Sequence, residues 1–111
     1  MEIREQKVGA VHVLRPEGPL KSDVADLFKG RILELVTTSL GRCVVDASAI
    51  QFVDSKGLEA LVDANEAMTR TGQCLRLSGV NETVQQVLEL TELAPLFELY
   101  PDVNRAVRSF L

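Results

Sequence analysis

The chain has 111 residues, 46% hydrophobic and 25% charged, with a formal net charge of −4, which suits one soluble domain, residues 1–111, around one core. Lys and Arg cluster nowhere in it, which argues against nucleic acid as a partner, and no apolar run approaches a membrane span. The charged start Met1-Glu2-Ile3-Arg4-Glu5 cannot be the apolar core of a signal peptide, so the chain is expected in the cytoplasm, without membrane insertion.

Residues Ile3 to Lys7 alternate and predict a short strand, followed by a tight turn at Val8-Gly9 and a second strand over Ala10 to Pro16. Pro16 is expected to end that strand or to hold an edge. His12 reads as a strand-face residue, with no second ligand near it in sequence. The loop Glu17 to Lys21 leads to Ser22 and Asp23, either of which can cap a helix. Val24, Leu27, Phe28, Ile32, Leu35 and Val36 recur at helical spacing, so an amphipathic helix is expected from Val24 to about Leu40, with Gly41 as its stop. Gly30 inside it points to a close packing contact.

Cys43-Val44-Val45 reads as an interior strand covered on both faces. Next comes Ile50-Gln51-Phe52-Val53-Asp54-Ser55-Lys56-Gly57-Leu58, the stretch around which the chain is organised, and a helix from Lys56 to about Thr71. Asp54 and Ser55 stand where a helix takes its cap. Two local rules break beside them. Gly57 costs roughly 1 kcal/mol against alanine unless something approaches the backbone closely, and a docking partner is the expected cause. Lys56 is a cation at the positive end of the helix dipole. Glu66 and Arg70 are spaced for an ion pair. A strand over Cys74 to Ser78, a helix capped by Asn81 and stopped before Pro95, a short strand over Leu96 to Tyr100, and a last helix from Pro101-Asp102 complete the order β-β-α-β-α-β-α-β-α. Alternating strands and helices imply an α/β fold with a mixed, largely parallel sheet flanked by helices. The Gly18–Ser22 and Asp46–Ser55 loops both follow strands, where functional loops gather, and are expected to be neighbours.

Enzyme chemistry finds little material. There is one His, no Gly-rich phosphate loop, no Gly-x-Ser-x-Gly elbow and no grouped metal ligands, so no cofactor and no metal are expected. Cys43 and Cys74 lack Cys-x-x-Cys spacing and read as reduced core residues. Asp46 and Asp54 bracket a loop, where aspartates are usually structural. Ser55 has two readings, a helix cap or a phosphoacceptor. A phosphoryl group there is tolerated by the free N–H groups of the helix start and costly against a docked partner.

The pattern Val44-Val45-Asp46 … Ile50-x-Phe52-Val53-Asp54-Ser55-x-Gly57-Leu58-x-x-Leu61 resembles the signature of the STAS domain, the family of bacterial anti-sigma-factor antagonists; Gly18-x-Leu20 and the element order extend the likeness over nearly the whole chain. The resemblance implies a non-enzymatic regulatory binding module. Its partner is an anti-sigma factor that is also a serine kinase, which phosphorylates the antagonist at the start of the second helix and so ends the complex. It places partner binding on Asp54, Ser55, Lys56, Gly57 and Leu58, with Pro19, Lys21 and Ser22 from the neighbouring loop. In the family's switchable members the usual phosphoacceptor is a second hydroxyl after the aspartate; here that position is Lys56, and Ser55 is the candidate that remains. The loop that commonly reads Gly-Glu-Leu-Asp is Gly18-Pro19-Leu20-Lys21. Lys21 and Lys56 are expected to lie close and make the face less acidic. A second reading implied by the family is a cytoplasmic accessory subunit of a lipid-transporting ABC complex. A homodimer stays open.

Overall fold

Antiparallel pairing is confined to the start of the chain. In the computed structural model, which describes residues 1–111, β1 (Glu2–Val8) and β2 (Val11–Glu17) form a hairpin with Arg4 opposite Arg15 and Val8 opposite Val11. The chain then runs through α1 (Ser22–Ser39), β3 (Cys43–Asp46), α2 (Ser55–Thr69), β4 (Arg76–Ser78), α3 (Glu82–Leu90), a 3-10 turn (Ala94–Leu96), β5 (Glu98–Tyr100) and α4 (Val103–Arg108). The sheet order is β1-β2-β3-β4-β5, and β2 to β5 are parallel neighbours. Parallel crossovers are right-handed. Strands added one after another in a single direction therefore put α1, α2 and α3 on the same face and leave the other face to α4.

Side chains divide by the two-residue period of the strands. Leu14, Cys43, Val45, Leu75 and Leu77 join Phe28, Ile32, Leu61, Ala64, Met68, Val84 and Leu88 in the main core. Val11, Val13 and Val44 point the other way and pack with Ala106 of α4, with Val103, Val107 and Phe110 at the edge. Arg76 lies between Leu75 and Leu77 and so faces α4, where its Nε donates to Ser109 Oγ at 2.6 Å and its guanidinium stacks 3.7 Å from the Phe110 ring centroid. These partners are why a buried arginine is tolerated there.

Several expectations change in detail. Pro16 is buried within β2, on neither edge of the sheet. The amides of His12 and Gly18 both point toward the β3 side, to Arg42 and Ala49, so the missing N–H of Pro16 falls on that side too. The β3 ladder has already ended at Leu14–Val45, and no ladder bond is lost. Strand β4 starts at Arg76, two residues later than expected, and β5 starts at Glu98 because a 3-10 turn takes Leu96. Glu66 and Arg70 form no ion pair. The left-handed exit of α1 starts at Leu40, φ 55°, one residue before Gly41. Cys43 is buried with its thiol 3.5 Å from Met68 Sδ, and burial pushes its pKa up to about 11, so it is an inert core residue.

Gly30 also departs from expectation. It is exposed, and a Cβ added there would have no atom within 4 Å, so it marks no packing contact within the chain. Gly30→Ala is therefore expected to raise stability by about 0.5–1 kcal/mol, since alanine costs less backbone entropy in a helix. Thermal unfolding followed by circular dichroism checks the sign.

Candidate functional site

The two loops expected to be neighbours are zipped together. Gly18 N donates to Ala49 O at 3.0 Å, Leu20 N to Phe52 O at 3.0 Å, and Asp54 N to Leu20 O at 3.2 Å, with Leu20 and Val53 forming an isolated parallel bridge. The far side of the second loop is pinned by α3: Asn81, its N-cap, accepts from Val84 N and donates its amide to Ile50 O at 3.2 Å and Gln51 O at 3.0 Å. Ile50 and Val53 are buried beneath. The loop is thus held on both sides and from below, which fixes the start of α2.

Asp54 joins the two helix starts. Its Oδ1 accepts from Gly57 N at 2.9 Å, an N-cap of α2, and its Oδ2 accepts from Ser22 N at 2.9 Å, the first residue of α1. Neither Ser22 nor Asp23 caps α1 as expected: the cap position is Lys21, its side chain makes no capping bond, and the anion comes from Asp54. One carboxylate meets the positive ends of two helix dipoles. The Gly57 N–H, then the Ser22 N–H, hold the Asp54 carboxyl below the usual carboxylate range.

Gly57 has a reason inside the chain. A Cβ at this position would stand 2.2 Å from Leu20 O and 3.0 Å from Leu20 C. The close approach comes from the neighbouring loop, and the expected approach of a partner is not needed to explain the glycine.

The remaining residues singled out in the sequence surround this junction. Ser55 is the first residue of α2 and is exposed; Lys56 is exposed, and Leu58 and Pro19 are half-buried. Each lysine is held by an acid of its own helix, Lys56 Nζ by Glu59 at 3.5 Å and Lys21 Nζ by Asp23 at 3.8 Å. Lys56, but not Lys21, lines the groove between α1 and α2, a space of about 150 Å³ whose walls also carry Asp26, Lys29, Glu59 and Asp63. The groove thus carries three acids against two cations. Sequence reasoning missed Phe52, which is 44% exposed two residues before Asp54. In Ile50-Gln51-Phe52-Val53 the apolar residues follow no period that marks which one faces out.

The arrangement offers hydrogen-bonding groups, an exposed aromatic ring and a hydroxyl, held rigidly at two helix starts. No group of His, Cys, Asp or Glu side chains could hold a metal ion, and no helix is long and apolar enough to cross a membrane.

Known proteins share this architecture. A Thermotoga maritima protein provisionally named an anti-sigma factor antagonist is 27% identical over 101 residues, 90% of this chain and 89% of its own. The crystal structure of an anti-sigma factor antagonist from Mycobacterium paratuberculosis superposes with a TM-score of 0.86 at 23% identity, over 97% of this chain and 92% of that one. The anti-sigma factor antagonist SpoIIAA of Bacillus in its unphosphorylated form gives 0.77 at 16% identity, over 98% and 96% of the two chains. The STAS domain family model matches residues 2–106. With the five-stranded mixed sheet, the four helices and the loop junction at the start of α2, that match places the chain in the STAS domain family.

Proposed function

We propose that this chain is a regulatory binding module that acts in the cytosol as one domain, residues 1–111, and antagonises an anti-sigma factor with serine-kinase activity. The docking face comprises Pro19, Lys21 and Ser22 with Asp54, Ser55, Lys56, Gly57 and Leu58. One observation carries the reading: Asp54 ties the starts of α1 and α2 to each other, so Ser55, Lys56 and the exposed Phe52 stand on a surface ordered before any partner arrives. A pre-ordered surface loses little entropy on docking. The relatives named as anti-sigma factor antagonists supply the partner class.

The chain itself performs no chemistry in this reading. In the antagonists that switch, the kinase moves the γ-phosphoryl of ATP to a hydroxyl at the helix start: the new O–P bond forms, the bond to the β-phosphate oxygen breaks, and the hydroxyl proton leaves to the kinase. Here the position where that hydroxyl is expected carries Lys56, which cannot accept in this way. Ser55 is the nearest hydroxyl. A phosphoryl group on it adds roughly −1.5 to −2 charge beside Asp54, with Lys56 and the free N–H groups of the helix start to stabilise it within the fold. Its effect would fall on the partner.

The test is intact-mass measurement after incubation with the kinase and ATP. The unaltered chain is expected to stay unmodified and to co-elute with the kinase, while Lys56→Ser gains one phosphoryl group and elutes apart. Efficient phosphorylation of the unaltered chain, mapped to Ser55, would contradict this expectation and make Ser55 the acceptor.

A further inference from the structure

Helix α1 carries an unexplained residue on its outer side. Ala25, Phe28, Ile32, Leu35 and Val36 fix the buried face. At about 100° per residue, Gly30 falls opposite that face, at the crest turned to solvent. The chain uses glycine here although nothing approaches it and although it weakens the longest helix. Leu27, 51% exposed, lies one turn earlier on the same side. A single exposed leucine is ordinary. An exposed leucine beside a bare glycine at mid-helix is a protrusion next to a recess where a second backbone can come close.

The charges around this recess are sorted. The cations in the middle of α1 turn to its flanks: Lys29 Nζ meets Asp63 of α2 at 2.9 Å, and Arg31 pairs with Glu5 of β1. Asp23, Asp26 and Glu34 remain along the crest. Asp23 is bridged by Lys21 at 3.8 Å, whereas Asp26 and Glu34 form no salt bridge and act only electrostatically on Lys29 and Arg31, whose direct partners lie elsewhere. An antiparallel crossing of two copies centred on Gly30 would set Asp26 against Glu34 twice, which disfavours self-association through this face.

We propose that the outer crest of α1, centred on Leu27 and Gly30 and framed by Asp23, Asp26 and Glu34, is a second docking surface that receives a cationic amphipathic helix of a partner protein. The partner helix lays an apolar residue against Leu27, crosses closely over Gly30, and sets Lys or Arg side chains against the three carboxylates. This surface faces away from the core on α1 and does not depend on the antagonist reading of the α2 start.

The probe is a synthetic amphipathic helix of Leu, Ala and Lys, roughly five turns long, titrated into the intact chain and followed by amide NMR shifts. A peptide with Glu in place of Lys is the control. Shifts are expected to concentrate between Asp23 and Glu34, and binding to weaken as salt rises from about 50 to about 300 mM. Leu27→Ser and Gly30→Leu are each expected to weaken it about tenfold, a loss of about 1.4 kcal/mol. Gly30→Leu replaces the weakest helix former in α1 and raises the melting temperature, so lost binding there is not lost folding. No binding, shifts scattered over acidic residues elsewhere, equal binding of the Glu peptide, or unchanged affinity in both variants would overturn the proposal.

Discussion

Gly57→Ala is expected to lower the stability of the chain by about 2–4 kcal/mol, opposite in sign to the same change at Gly30. Helix propensity alone gives both substitutions a gain of about 1 kcal/mol, so the difference isolates tertiary structure. At Gly57 the new methyl group would stand 2.2 Å from Leu20 O, well inside van der Waals contact. Leu20 is fully buried, and its carbonyl accepts from Asp54 N at 3.2 Å. The atom that must yield is therefore backbone, held by the bridge that joins the two loops. Relief requires the loops to part, which also breaks the Asp54–Ser22 bond. Chemical denaturation of both variants against the unaltered chain measures the pair. A stabilising Gly57→Ala would mean that the loops are not packed as described.

Asp54→Ala removes the anchor of both helix starts at once. It is expected to lower the melting temperature by roughly 5–10 °C, more than loss of a single cap, because Gly57 N and Ser22 N lose their acceptor together. Asp54→Asn keeps an acceptor oxygen without the charge and should fall between. The effect has a defined pH dependence. Hydrogen bonds from Gly57 N and Ser22 N lower the folded-state pKa of Asp54, so its contribution is fully present above the unfolded carboxylate value of about 3.9 and is lost as pH falls through the lower folded value. The difference between the unaltered chain and Asp54→Ala should therefore be flat from about pH 5 to 8 and shrink below about pH 4. A difference that grew on acidification would refute the charge-assisted cap.

The element order was legible because it rests on local chemistry. Apolar spacing in Val24–Val36 marks α1, the β-branched run at Cys43–Val45 marks the central strand, and Asn81 caps α3 as its residue type suggests. What could not be read depends on residues far apart in the chain. Ser22 looks like a cap, yet the anion at the start of α1 comes from Asp54, 32 positions away. Gly57 signals a close approach, but only the fold reveals that Leu20 makes it. Gly30 carries the same local signal with no neighbour at all. Lys21 and Lys56 each have a carboxylate beside them, Asp23 and Glu59, a pairing that only the folded side chains reveal. Composition and spacing report which residues are unusual; tertiary neighbours decide why.

The central claim is that the rigid junction of α1 and α2 is a docking face for an anti-sigma factor. Isothermal titration of the chain against the serine-kinase anti-sigma factors of its own organism tests this most directly. The account predicts one-to-one binding to one of them in the micromolar range or tighter. Phe52→Ser should weaken it at least tenfold while leaving the melting temperature nearly unchanged, because Phe52 is the exposed aromatic beside Asp54 and lies outside the buried core. Absence of binding to every such kinase, or full affinity in Phe52→Ser together with Asp54→Ala, would contradict it.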